Sequence, residues 1–65
     1  MQVKLNGNII DTESKNILEL LLEYSIERKS VAVAVNTAII KQEKWDSYKI
    51  KNNDTIECLT FMGGG

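Results

Sequence analysis

The stretch Met1-Gln2-Val3-Lys4-Leu5-Asn6-Gly7-Asn8-Ile9-Ile10-Asp11 decides how the rest of the chain has to be arranged. Its first five residues alternate apolar with polar, the period of a strand with one buried face. Asn6-Gly7 supplies two residues that tolerate positive φ, as a two-residue type I′ hairpin turn requires. Residues 8–11 then return as a second strand. The N-terminus therefore reads as a β-hairpin.

The next segment supplies the helix. Residues 12–15 are polar and turn-like. Asn16 suits an N-cap, and Glu19 stands where a capping box would reach back. Ile17, Leu20, Leu21 and Tyr24 recur at i, i+3, i+4 and i+7, one face of an amphipathic helix, and Leu18 and Leu22 widen that stripe. Glu19, Glu23 and Glu27 form an acidic row expected to be a solvated face, while Arg28 and Lys29 suit the negative end of the helix dipole.

Val31-Ala32-Val33-Ala34-Val35 is apolar and rich in β-branched residues, which predicts a buried central strand with the valines toward the helix and the alanines away. Asn36-Thr37 is a tight-turn pair, and residues 38–40 form a short return strand. Residues 41–51 carry four lysines around Trp45 and Tyr48. Basic residues interleaved with aromatics can bind single-stranded nucleic acid. Glu43 and Asp46 dilute that pattern, and a loop anchored by Trp45 and Ile50 is the better reading. After a turn at Asn52-Asn53-Asp54, residues 55–61 read as a last strand. Ile56 and Cys58 would face the core, and Leu59 and Phe61 the opposite side. Two large apolar residues there read as a partner-binding patch, as ordinary surface, or as packing against the Trp45 loop.

The order hairpin, helix, central strand, short strand, loop, final strand implies an α+β fold. Its mixed sheet has about five strands, with one main helix across it and the first and last strands together in the middle. That arrangement is the β-grasp, or ubiquitin-like, fold, which gives no function by itself.

Composition removes several functions. Sixty-five residues make one domain near the lower limit for an unaided core. There is no histidine, hence no ordinary neutral-pH general base and no His-based triad. One cysteine without histidine lacks zinc-site spacing, and no Gly-rich loop precedes a helix to cradle phosphate. A formal charge of −1 argues against a dedicated nucleic-acid binder. The single Cys58, expected to be inert core, suits a reducing cytoplasm. No leader pattern and no membrane span are expected.

Three of the four glycines stand together in Phe61-Met62-Gly63-Gly64-Gly65. Glycine orders at high entropic cost and buries no side chain, so such an end serves a fold poorly. On its own it reads equally as a frayed terminus or as a thin tail that carries a carboxylate into a narrow site. The expected division is a β-grasp domain over residues 1–61 and a flexible tail over 62–65.

The capped Asn16-Ile17-Leu18-Glu19-Leu20-Leu21 helix, Val33-Ala34-Val35-Asn36, Ile40 followed by Trp45, Asn53-Asp54-Thr55-Ile56-Glu57 and the closing Gly63-Gly64-Gly65 occur together. Spread over nearly the whole chain, this series resembles the ThiS family of thiamine-biosynthesis sulfur carrier proteins, in the same superfamily as the small subunit of molybdopterin synthase. Asn53 stands where many members have glycine, and asparagine tolerates left-handed backbone.

The resemblance implies that the Gly65 carboxylate is adenylated by a ThiF-like enzyme using ATP and magnesium, neither held by this chain. A sulfur donor protein then displaces AMP, and the resulting thiocarboxylate passes its sulfur to a ThiG-like thiazole synthase. Gly63 and Gly64 would give access to narrow channels, and Leu59, Phe61 and Met62 would contact partners. The chain would be a co-substrate with no catalytic residues, no metal, no nucleic acid and no membrane. Sulfur carriage for molybdopterin or tRNA thiolation is the near alternative. A ubiquitin-like binding module with an idle tail is the distant one.

Overall fold

The Asn6-Gly7 turn forms as expected, with φ of 49° and 86°, between strand β1 (Gln2–Leu5) and strand β2 (Asn8–Asp11). The structure, a computed structural model, describes residues 1–60. Phe61, Met62, Gly63, Gly64 and Gly65 lie outside the described residues. Helix α1 spans Ile17–Glu23, followed by β3 (Val31–Val35), β4 (Ala38–Ile40) and β5 (Thr55–Thr60). The sheet order is β2-β1-β5-β3-β4. β1 and β5 pair in parallel and the other neighbours are antiparallel, which is the β-grasp arrangement. No described helix is long and apolar enough to cross a membrane.

One side of the sheet makes the core. Val3, Leu5, Val31, Val33, Val35 and Ile56 point into it and meet Ile17, Leu20 and Leu21 of α1. Trp45 and Ile50 close its open end from the loop after β4. The Trp45 ring is buried, and its Nε1–H donates to the Ile40 carbonyl at 2.9 Å, so the indole polar group costs nothing there. The lysine-rich segment is therefore an anchored loop, as its composition suggested. Ala32 is half-buried. Ala34 is buried despite facing away from the helix, because it lies on the sheet between its cross-strand partners Ile39 and Glu57.

The helix is shorter than its periodicity predicts. It stops at Glu23, with Tyr24 as C-cap and Ser25 in the left-handed region at φ 54°. The Ile26 N–H donates to the Leu21 carbonyl at 2.8 Å and the Ser25 N–H to the Leu22 carbonyl at 3.2 Å. Those two bonds are a Schellman motif, with Ser25 at the position glycine usually takes. Arg28 and Lys29 thus sit in a separate 3-10 turn capped by Glu27, not at the helix end, and no basic residue occupies the last turn of α1. Leu22 and Tyr24 are exposed rather than core, since a helix of two turns buries only its central stripe. Replacing Ser25 by glycine is expected to raise unfolding stability by about 1 kcal/mol, the cost of a Cβ in left-handed backbone. Urea denaturation would measure it.

Two side chains at the helix start and end also depart from expectation. Asn16 caps α1 through the Glu19 N–H at 2.8 Å, yet the Glu19 carboxylate reaches the Lys15 N–H, not that of Asn16. Glu23 is exposed, as the acidic row predicts, but it is not idle. It accepts from the Thr12 hydroxyl at 2.6 Å and the Ser14 hydroxyl at 2.8 Å, tying the hairpin exit to the helix. These two bonds, Thr12 first, hold its carboxyl below the ordinary glutamate range. A lowered folded pKa contributes stability above the unfolded value of about 4.3, and that contribution is lost as pH falls through the folded value. Glu23→Gln should flatten this acid limb of a urea-midpoint profile. An unchanged limb would mean that other carboxylates carry it.

Candidate functional site

β5 leads to the C-terminal glycines, so the site is built around how that strand is held. A polar lock fixes its start. Asp54, buried, accepts from the Asn36 Nδ2 at 2.9 Å and the Lys51 N–H at 2.8 Å. Asn36 returns the favour to the strand: its Oδ1 accepts from the Thr55 N–H at 2.9 Å, and its own N–H donates to the Thr55 carbonyl at 2.7 Å. Asn36 and Asn53 both take left-handed backbone, at φ 51° and 73°, so the tolerance expected of Asn53 is used. Ile56, fully buried, then pins the strand to the core.

Beyond Ile56 the strand presents chemistry outward. Leu59 is 64% exposed on the face away from the helix. It lies opposite Ala32, and one residue pair further along the same face lie Ala34 and the 67% exposed Ile39. Two small residues between two large ones make a shallow apolar trough across β5, β3 and β4. Ile9, also exposed on that face, is separated from it by Lys4, its partner on β1, and by Glu57. Leu59 is the only residue of the expected docking surface placed among the described residues. Phe61 and Met62, expected beside Leu59, and the reactive and access positions Gly65, Gly64 and Gly63 fall outside them.

Cys58 faces the core side opposite Val33 and is half-buried. Burial pushes its thiol up, which lowers the thiolate fraction at neutral pH and makes it a poor nucleophile. An acidic pocket lined by Asp11, Thr12, Glu13, Ser14, Glu19 and Glu23 lies on the far side of the molecule. Its buried hydroxyls are already committed to Glu23, so it serves the helix attachment.

Three features of this face and strand escaped the sequence reading. Ile39 was legible only as part of a short strand, and its outward direction follows from the register that the Asn36-Thr37 turn sets. Ile9 follows in the same way from the Asn6-Gly7 turn, which places it opposite the outward Lys4. The third is Asn6, whose Oδ1 accepts from the Cys58 N–H at 2.7 Å across 52 residues of chain. No local pattern announces that bond.

Comparison with known proteins gives one consistent result. The ThiS family model matches residues 2–65. The sulfur carrier protein ThiS of Bacillus subtilis is 34% identical over 65 residues, covering 97% of this chain and 98% of that one. A thiazole synthase of Magnetococcus marinus is 32% identical over 66 residues, a match that takes in all of this chain and 20% of that protein. The crystal structure of the thiamine biosynthesis protein ThiS from Geobacter metallireducens superposes with a TM-score of 0.87 at 30% identity, covering all of both chains.

Proposed function

The chain belongs to the ThiS family, and from that membership we propose that it is a sulfur carrier of thiamine biosynthesis, a protein co-substrate and not an enzyme. The observation that carries the reading is the near end-to-end relation to a sulfur carrier protein. The thiazole synthase with a segment matching this whole chain supports a ThiG-like acceptor.

The chemistry starts from the Gly65 carboxylate. With a pKa near 3.5 it is ionised at neutral pH and a poor electrophile. A ThiF-like enzyme, binding ATP and magnesium, lets a carboxylate oxygen attack the α-phosphorus, and pyrophosphate leaves. A sulfur nucleophile from a donor protein then attacks the acyl carbon, and AMP leaves. Delivery of sulfide equivalents gives the thiocarboxylate directly. A persulfide donor gives an acyl disulfide, which a thiol reductant cleaves to the same product. The ThiG-like synthase takes the sulfur into the thiazole ring. Gly63 and Gly64 lack the Cβ that would obstruct a narrow channel, and the fold over residues 1–61 acts as the handle in a reducing cytoplasm.

In this account Leu59, with Phe61 and Met62, docks the partners beside the apolar trough. Leu59→Asp places a charge where a partner must desolvate it, and is expected to weaken binding to the adenylating enzyme at least tenfold, about 1.4 kcal/mol. Titration calorimetry would show it, and unchanged affinity would move the interface elsewhere. Because Leu59 is exposed, the variant should fold normally. The function itself is tested by intact-mass measurement after incubation with the activating enzyme, ATP, magnesium and a sulfur source. A gain equal to exchanging one oxygen for sulfur supports carriage. No gain with a competent activator contradicts it, and leaves the binding-module alternative.

A further inference from the structure

The last strand outruns its neighbour. The β1–β5 ladder pairs Lys4 with Thr55 and Leu5 with Ile56, and the hairpin then turns away at Asn6-Gly7. β5 continues to Thr60 with only β3 beside it among the described residues, pairing Leu59 with Ala32 and Thr60 with Val31. Backbone groups of a strand alternate between its two sides. Those of Thr55 face β3, where its carbonyl accepts from the Asn36 N–H. On the β1 side, the Ile56 carbonyl accepts from the Asn6 N–H at 2.9 Å and the Cys58 N–H donates to the Asn6 Oδ1 at 2.7 Å. The period of two therefore puts the Cys58 carbonyl and the Thr60 N–H on the β1 side, past the place where β1 ends.

Asn6 closes the internal ladder with its side chain, and among the described residues it makes no hydrogen bond to β5 beyond the Cys58 N–H. A Cβ built on Gly7 would meet no atom within 4 Å, so the space beside the turn is open. Among the described residues nothing pairs with these two backbone groups, which form a short edge at the end of the described part of β5. It is too short to be the aggregation hazard that a long bare edge presents.

We infer that this edge of β5, from the Cys58 carbonyl to the Thr60 N–H, is a strand-addition site for an extended segment of the enzyme that activates the C-terminus. The inference rests on the sulfur-carrier reading and names how the carrier is gripped. Five residues separate Thr60 from the end of the sequence, a reach of about 17 Å when extended. An enzyme that must bring Gly65 to a fixed point gains most by holding the strand itself, since backbone pairing sets register and direction together. The exposed Leu59 between the two edge groups gives the added segment an apolar side chain to rest on.

The test is a chemically synthesised chain in which the Thr60 N–H is replaced by an ester oxygen, compared with the native chain and with the same change at Leu59. The Leu59 N–H lies in the β3 ladder, so that ester should lower Tm. The Thr60 ester weakens the Leu59 carbonyl only as an acceptor, so it should lower Tm clearly less than the Leu59 ester, keep kcat for adenylation, and raise KM about fivefold through the loss of one intermolecular hydrogen bond. Native chain adenylated with the Thr60 ester indistinguishable from it would overturn the edge proposal and leave the carrier reading intact. A Thr60 ester as unstable as the Leu59 ester would also overturn it, by showing that the group is used within the fold. Self-association of the native chain that the ester abolishes would overturn it in favour of a second copy as occupant. If the native chain itself is not adenylated by a competent enzyme, the carrier reading fails and the proposal with it.

Discussion

Deletion of Gly65 is expected to abolish sulfur transfer, by at least a hundredfold, while leaving thermal stability nearly unchanged. One residue fewer draws the carboxylate back by about 3.3–3.6 Å. A misplacement of about 1 Å already costs about a hundredfold when a reacting group must meet a fixed partner. Among the described residues the buried ones end at Ile56 and the last ladder pair is Val31 with Thr60, and glycine has no side chain to add to a core. Appending an alanine after Gly65 should be as damaging for a different reason, because the Gly65 carboxylate becomes an amide that cannot attack ATP. Pyrophosphate release by the adenylating enzyme and a thermal melt, run on the same samples, separate the two effects. A large fall in Tm on deleting Gly65 would make the tail part of the fold and remove the ground for treating it as a device.

Trp45→Ala is expected to cost about 3–5 kcal/mol and so unfold a substantial fraction of the protein at 25 °C. Three roles meet at this residue. Its ring closes the end of the core beside Ile17 and Ile50, its indole N–H satisfies the Ile40 carbonyl, and its own carbonyl accepts from the Leu18 N–H at the start of α1. The last bond is backbone and survives substitution, but the loop that positions it does not hold without the ring. Trp45→Phe keeps most of the packing and removes the indole donor to the part-buried Ile40 carbonyl, so it should cost about 1 kcal/mol, the low end of the range for leaving an acceptor unpaired. Urea denaturation of both variants would give the split. A small loss for Trp45→Ala would mean that the loop collapses onto the vacated site and that the lysine-rich segment is not anchored through Trp45.

Much of the fold was legible because strong local signals agreed with one another. Asn6-Gly7 set the first register, Asn16 started the helix, and the alternation of Val31, Val33 and Val35 marked the core face of β3. The helix end was misjudged for a physical reason. Leu22 and Tyr24 continue the apolar spacing, but a Schellman motif at Ser25 ends the helix first, and serine carries no glycine-like warning. Glu23 is a surface acid as expected, but its bonds to Thr12 and Ser14 were not legible because those partners come from the opposite side of a turn. The same limit hid the Asn36–Asp54 lock and the Asn6–Cys58 bond, whose members lie 18 and 52 residues apart. Of the site, Leu59 was read correctly as outward, and its apolar neighbour Ile39 needed the register of a second hairpin. The remaining site positions, from Phe61 to Gly65, have their reading in residue type alone.

The central claim is that sulfur is carried at one atom pair, the carboxyl of Gly65, and it is tested most directly by locating the sulfur. The protein incubated with its activating enzyme, ATP, magnesium and a sulfur source should be fragmented in the mass spectrometer. The expected gain equals oxygen exchanged for sulfur, confined to fragments that contain Gly65 and absent from those that end before it. A gain of a whole added sulfur on fragments containing Cys58 would contradict it, since that is a persulfide on the half-buried thiol and not a thiocarboxylate on the terminal glycine.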